Sequence, residues 1–271
     1  MNDFDIVING GGITGLAFAL LLDQTAPHRS IAIIEPRPPA AEQDEVSLRV
    51  SAIAPSSRAV LESCGVWAAL PEARIAAYQR MCVWRGDNAE TTSQRLNFDA
   101  AEQGAAELGY ILENELLRAV LWQAAAASPD ITLFGDVTPN ALTATDDRMM
   151  LTLADGAECS ARLLVGADGA RSWVRQQLGL VTREQPCAQQ GIVAHVRSER
   201  SHADTAWQRF LPGGPLALLP LADGRSSVVW SCPDDEVDAA MTLDDQAFSA
   251  ALTESSGGVL GALSVTTERA A

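Results

Sequence analysis

Phe4-Asp5-Ile6-Val7-Ile8-Asn9-Gly10-Gly11-Gly12-Ile13-Thr14-Gly15-Leu16 joins a short apolar run to a glycine turn, and the stretch 16–22 continues as an apolar helix. A second apolar run at 31–34 completes a βαβ unit. Strands without a polar face suit a parallel sheet covered on both sides. Gly10, Gly12 and Gly15 satisfy G-x-G-x-x-G between strand and helix, the context in which that motif binds a dinucleotide. Gly10 permits the tight turn, Gly12 lets the backbone approach a pyrophosphate, and Gly15 lets helix and strand pack closely. The helix start then offers unpaired N–H groups to the anion. Glu35 follows Gly15 by twenty residues, at the end of the second strand, where its carboxylate can accept ribose hydroxyls. The same charge repels a 2′-phosphate, so an adenosine with free hydroxyls, as in FAD or NAD, is favoured in this site over NADP. A glycine turn that served packing alone would make Glu35 a coincidence. Asn9 stands at a strand end where an apolar residue is commoner.

Beyond this unit, residues 36–48 read as a Pro- and Ala-rich surface loop, and Ser56 or Ser57 caps a helix that Gly65 ends. Short β-like pieces at 81–84 and 95–98 indicate an excursion into a second domain. A strand at 110–113 and an Ala-rich helix at 114–127 return the chain to α/β, and Ser128-Pro129 ends the helix. Strands follow at 131–134, 141–145 and 149–153, the last two forming a hairpin around Asp146-Asp147. A buried-type strand at 162–165 leads through Gly166-Ala167-Asp168-Gly169 into a helix at 173–178. Past Gly179, runs at 191–196, 206–211, 216–221 and 226–231 read as an antiparallel sheet, with helix only at 244–252.

The chain's 271 residues and 47% hydrophobic content suffice for one large or two interlocked units. A net charge of -16 disfavours nucleic acid, which calls for clustered Lys and Arg. Cys64, Cys82, Cys159, Cys187 and Cys232 are odd in number and form no Cys-x-x-Cys pair, so neither a disulfide framework nor a zinc site is suggested, and a reducing cytosol fits. No signal-like N-terminus and no apolar run of membrane-spanning length occurs, which gives a cytoplasmic expectation with at most peripheral membrane contact. His28, His195 and His202 lack neighbours at ligand spacing, so no metal is expected. No G-x-S-x-G turn presents a serine nucleophile. Trp207, Phe210 and Trp230 could line an aromatic pocket, but ordinary core packing is the simpler reading.

The string Leu163-Leu164-Val165-Gly166-Ala167-Asp168-Gly169-Ala170-Arg171-Ser172-Trp173-Val174-Arg175 resembles the "DG" fingerprint of the p-hydroxybenzoate-hydroxylase-like class A flavin monooxygenases. Physically, Asp168 can accept backbone hydrogen bonds in a strand-to-helix turn and Ser172 can cap the helix. Narrower resemblance, to the ubiquinone-biosynthesis hydroxylases that act on polyprenylated phenols, comes from four segments: Leu48-Arg49-Val50-Ser51-Ala52-Ile53, Gly65-Val66-Trp67, Tyr110-Ile111-Leu112-Glu113-Asn114 and Leu216-Ala217-Leu218-Leu219-Pro220-Leu221.

The resemblance implies FAD as cofactor, NAD(P)H and dioxygen as co-substrates, and hydroxylation of an electron-rich phenol ring. It places Asp168 and Gly169 near the FAD pyrophosphate, and Arg49 and Asn114 in contact with FAD; Asn114 can equally cap its helix. Together with Gly10, Gly12, Gly15 and Glu35 these form the cofactor-binding set, and no residue is assigned as catalytic. The expected fold is α/β: a Rossmann-like, doubly wound FAD-binding sheet over 1–75 and 99–180, and a mainly antiparallel β substrate domain over 76–98 and 181–271. The family also carries a Gly-Asp motif followed by His, Pro and glycines, which this chain ends at Ala271 without reaching. Weak or absent FAD binding is therefore expected of the chain as given. Two other readings stay open: a flavoenzyme acting on small phenols, as hydroxylase or reductase, and a non-catalytic assembly subunit among ubiquinone-pathway proteins. A homo-oligomer also stays open.

Overall fold

The computed structural model describes residues 2–40, 45–86, 89 and 93–271. Part of the loop expected over 36–48, and part of the expected excursion over 76–98, lie outside the described residues. The chain opens with β1 (Asn2–Asn9), α1 (Ile13–Thr25) and β2 (Ile31–Glu35), followed by β3 (Val50–Ile53) and α2 (Pro55–Ser63). Next come β4 (Ala76–Tyr78), β5 (Arg80–Arg85), β6 (Arg95–Asp99), β7 (Gly109–Glu113) and α3 (Asn114–Ala127). Then follow β8 (Ile131–Gly135), β9 (Pro139–Ala144), β10 (Met149–Leu153), β11 (Glu158–Gly166) and α4 (Trp173–Gln177). The last part holds β12 (Gln189–Ser198), β13 (Thr205–Leu211), β14 (Gly214–Pro220), β15 (Ser226–Pro233), α5 (Asp234–Thr242), α6 (Asp245–Ser255) and β16 (Leu263–Val265).

These elements form two compact units. The first comprises Met1–Asp44, Ser56–Leu70 and Asn114–Glu184; the second comprises Glu45–Pro55, Pro71–Glu113 and Gln185–Ala271. The stretch 181–184, expected with the substrate domain, lies in the first unit, and the stretches 45–55, 71–75 and 99–113, expected with the cofactor domain, lie in the second. The reason is pairing: β7 is antiparallel to β3 and β4 in a separate three-stranded sheet, and takes no place in the sheet of unit 1.

Unit 1 is built on a six-stranded sheet of order β8-β2-β1-β11-β10-β9. Its first four strands are parallel, with Ile6 opposite both Ile31 and Leu163, so the carboxyl ends of β1, β2 and β11 lie side by side. In an open α/β sheet, ligands bind in the crevice beyond those ends. All five residues of β2 are buried, as its uninterrupted apolar run requires. Phe4, Val7, Ala32 and Ile34 pack with Leu151, Cys159 and Ala161, and Phe134 stands edge-on to Phe4 at 6.0 Å. Each large side chain so buried contributes about 1.5–3 kcal/mol against chain entropy. The β9–β10 hairpin is antiparallel and pairs only with the first half of β11.

Unit 2 is built on a seven-stranded sheet of order β16-β12-β15-β14-β13-β5-β6, antiparallel except for the parallel pair β13–β5. One face carries Ile192, Ala194, Val196, Leu216, Leu218 and Val228, packed with Val237 of α5 and with Phe248 and Leu252 of α6. The sequence pointed to one helix here, and there are two. The opening Asp234-Asp235-Glu236 of α5 reads as loop, yet acids in a first turn complement the helix dipole. Helix α2 likewise starts at Pro55, one residue before the expected serine cap, because the fixed φ of proline suits a first helical position.

Candidate functional site

The site lies in unit 1, where β1 gives way to α1. Gly10 has φ +117°, and a Cβ there would collide with the Ala167 carbonyl and stand 2.7 Å from the Asp168 nitrogen. A Cβ on Gly15 would strike the Gly10 carbonyl, which is the close helix–loop approach the motif calls for. Gly12 differs from both: nothing lies within 4 Å of its Cβ position. It is the N-cap of α1 and makes no side-chain cap hydrogen bond. The N–H groups of the first helical turn and the open space over Gly12 therefore form a place where an anion can approach backbone.

Glu35 closes that place from β2. Its Oε2 accepts the Gly11 N–H at 2.7 Å and its Oε1 accepts the Arg37 N–H at 2.9 Å. A Cβ on Gly11 would come within 2.9 Å of both Glu35 Cβ and Trp122 Cζ3, so this third glycine is needed for packing. The Arg118 guanidinium, from α3, stands 3.3 Å from Glu35 Oε1.

The turn after β11 closes the other side. Asp168 Oδ2 accepts the Trp173 N–H at 2.7 Å and the Val174 N–H at 3.2 Å, while the Ser172 hydroxyl donates to Oδ1. Ser172 is the N-cap of α4, its Oγ accepting the Arg175 N–H at 3.1 Å. Asn9 completes the arrangement by donating its Nδ2 hydrogen to Asp168 Oδ2 at 2.8 Å. The polar residue at the end of β1 is thus a tie between two strand ends. Asp168 spends its oxygens on the protein, so its part is to shape the turn.

Of the residues singled out in the sequence, Gly10, Gly12, Gly15, Glu35, Asp168 and Gly169 come together at this one end of the sheet. Asn114 is the first residue of α3, and its Oδ1 is buried without a hydrogen-bond partner among the described residues. A capping side chain would accept a first-turn N–H, so the capping role expected of Asn114 is not what the structure shows. Asn114, Arg118 and Trp122 succeed one another at i, i+4 and i+8 and share a helix face. Arg49 is exposed and belongs to unit 2. Sequence reading noticed Asn9 without giving it a role and missed Gly11, Arg118 and Trp122; the local signals were a polar residue at a strand end and the spacing along α3.

Among the other candidates, His195 is fully buried and neither ring nitrogen meets a partner among the described residues. Burial, then the Arg225 cation, holds its pKa below the ordinary 6.5, against weaker opposite pulls from Asp223, Glu113 and the Leu48 backbone. Trp207 and Trp230 pack on the unit 2 core, whereas Phe210 is exposed, contrary to the core reading. Burial raises the thiol pKa of Cys64, Cys82, Cys159 and Cys232, and Cys187 is exposed. Among the described residues no cluster of metal-ligating side chains occurs, and no helix is long and apolar enough to cross a membrane.

The arrangement fits the adenosine and pyrophosphate half of FAD: backbone open at Gly12, a carboxylate beside the glycine turn, and an orphaned amide oxygen at Asn114. The family model described as "FAD binding domain" matches residues 3–267. The chain is 38% identical over 228 residues to the 3-demethoxyubiquinol 3-hydroxylase of Escherichia coli, covering 83% of this chain and 56% of that one. It is 34% identical to the mitochondrial ubiquinone biosynthesis monooxygenase COQ6 of Mus musculus, covering 90% and 53%. It is also 34% identical to the ubiquinone hydroxylase UbiL of Rhodospirillum rubrum, covering 95% and 58%. The chain thus spans about half the length of the curated relatives it matches. Among solved structures, PqsL, a probable FAD-dependent monooxygenase of Pseudomonas aeruginosa, superposes with TM-score 0.73 at 20% identity over 98% of this chain and 73% of that one. Aklavinone-11 hydroxylase in complex with FAD and aklavinone gives 0.70 at 16% identity, over 100% and 54%. The α/β fold with a mainly antiparallel second sheet is the fold of these flavin monooxygenases.

Proposed function

This chain belongs to the FAD binding domain family, and we propose that it forms the FAD- and substrate-binding part of a monooxygenase that hydroxylates the ring of a polyprenylated phenol in ubiquinone biosynthesis, with NAD(P)H and dioxygen. FAD supplies the redox and oxygen chemistry when bound. The chain's own residues bind and orient. In this reading Gly12 and the first turn of α1 receive the pyrophosphate, Glu35 accepts a ribose hydroxyl, and Gly10, Gly15 and the Asp168-Gly169 turn hold that geometry. Asn114 adds a polar contact to the cofactor. Unit 1 is the cofactor domain and unit 2 the substrate domain, which orients the phenol and excludes water. The names of the relatives support the substrate class.

One observation carries the reading: Glu35 is hydrogen-bonded to the Gly11 N–H at 2.7 Å while the neighbouring Gly12 opens into free space. Packing alone would not need a carboxylate and an open backbone side by side. The test is a chimera in which this chain replaces the matching part of the Escherichia coli relative, expressed in cells lacking that enzyme. Restored ubiquinone, lost again with Gly12→Ala, is the expected result. A folded, flavin-loaded chimera that turns over short phenols and leaves ubiquinone absent would overturn the substrate assignment.

A further inference from the structure

We infer that Arg118 is the positioning residue of the Glu35 carboxylate, locking it to the glycine turn so that its free Oε2 lone pair is held for a ribose hydroxyl of the ligand. The inference rests on the reading of that turn as an adenosine and pyrophosphate site. The Arg118 side chain is 16% exposed and joins three elements. Its Nε donates to the Gly11 carbonyl at 2.9 Å, its Nη2 donates to the Arg37 carbonyl, and the same Nη2 lies 3.3 Å from Glu35 Oε1. One planar fork therefore grips the turn after β1, the residue after β2 and the carboxylate between them, from a helix that joins neither strand to the other.

The need for it follows from counting acceptors. An ionised carboxylate has about four lone-pair sites. The Gly11 N–H takes one site on Oε2, and the Arg37 N–H and Arg118 take those on Oε1, which leaves one acceptor site, on Oε2, for a ribose hydroxyl. Two backbone bonds alone would tether Glu35 to the turn after β1 and the segment after β2 with no polar tie from either to α3. Arg118 ties down both the turn after β1, through the Gly11 carbonyl, and the segment after β2, through the Arg37 carbonyl, and Trp122, one turn further along the same face, packs against Gly11. The guanidinium also offsets the negative charge facing the pyrophosphate, so the carboxylate can read a hydroxyl without repelling the neighbouring anion.

The test is a cycle between Arg118 and the ribose hydroxyls, using ADP and 2′,3′-dideoxy-ADP titrated into the whole chain by NMR. For the unmodified chain ADP is expected to bind roughly tenfold or more tighter than the dideoxy analogue, as hydrogen bonds to a charged group imply. In Arg118→Gln the preference should fall to about twofold, with the dideoxy affinity changed by less than about threefold, because only the hydroxyl-reading geometry is lost. Arg118→Lys keeps the charge but reaches one acceptor at a time, so about a threefold preference is expected, and it carries the comparison if Arg118→Gln does not fold. A full preference retained in the variants, or both ligands weakening in parallel, overturns the inference: Arg118 would then support only the fold. An unmodified chain that binds both nucleotides equally, or neither, overturns instead the reading of the glycine turn on which the inference rests.

Discussion

Two regions of the molecule, one in each unit, treat their buried polar groups in opposite ways. At the end of the unit 1 sheet, Asp168 accepts from Asn9, Ser172, Trp173 and Val174, and Glu35 accepts from Gly11 and Arg37. In the unit 2 sheet, His195 and Ser227 lie directly opposite each other on β12 and β15, fully buried, and His195, Ser226 and Ser227 meet no side-chain partner among the described residues. A satisfied network fixes one geometry, because each member lost leaves the others stranded; an unsatisfied group is a standing cost that a better-matched side chain would relieve. The first arrangement is built to hold a shape, and the second tolerates change.

That contrast can be broken most forcefully at Gly10. Gly10→Ala puts a methyl into the backbone of Ala167 at a φ that L-residues rarely adopt, and unit 1 should lose about 3 kcal/mol or more, read as an early transition in urea unfolding. Asp168→Ala strands one amide, one hydroxyl and two backbone donors, and should cost about 2 kcal/mol in the same measurement. In unit 2 the comparison predicts the reverse. His195→Leu should change stability at neutral pH by no more than about 1 kcal/mol, since neither ring nitrogen makes a well-formed hydrogen bond among the described residues and only the weak pull of the Leu48 backbone is lost.

Acid sharpens the same point. The pKa of His195 is lowered in the folded protein, so below its ordinary 6.5 the unfolded chain takes up a proton that the folded chain refuses. Stability from this residue is complete above that pH and declines as pH falls toward the folded value. A denaturation series from neutral to mildly acidic pH should show the decline in the native chain and its loss in His195→Leu; identical slopes would remove His195 from the account.

Legibility in the sequence followed the range of the interactions. The βαβ unit was readable because its pattern is local: an apolar run, a glycine turn, a helix, and a carboxylate at fixed spacing. Asn9 was only an oddity, because its partner is 159 residues away, and Arg118 was invisible, because its Gly11 partner is 107 residues away. Strands β3 and β4 are four and three residues long and exist through pairing with β7, so no periodicity announced them. Only the apolar second half of β11 was legible. Its first half, Glu158-Cys159-Ser160, has no strand-like alternation and is held by β10.

Gly12→Ala has the smallest expected effect on the fold and bears most directly on function. Its φ of -77° is ordinary and its Cβ would meet nothing, so urea unfolding should shift by less than about 0.5 kcal/mol. If the turn exists to admit a pyrophosphate, ADP affinity measured on the same samples should fall at least about tenfold, because the added methyl occupies the space the ligand needs. Unchanged stability with lost ADP binding is the result this account predicts; unchanged stability with ADP affinity equal to that of the native chain would contradict it.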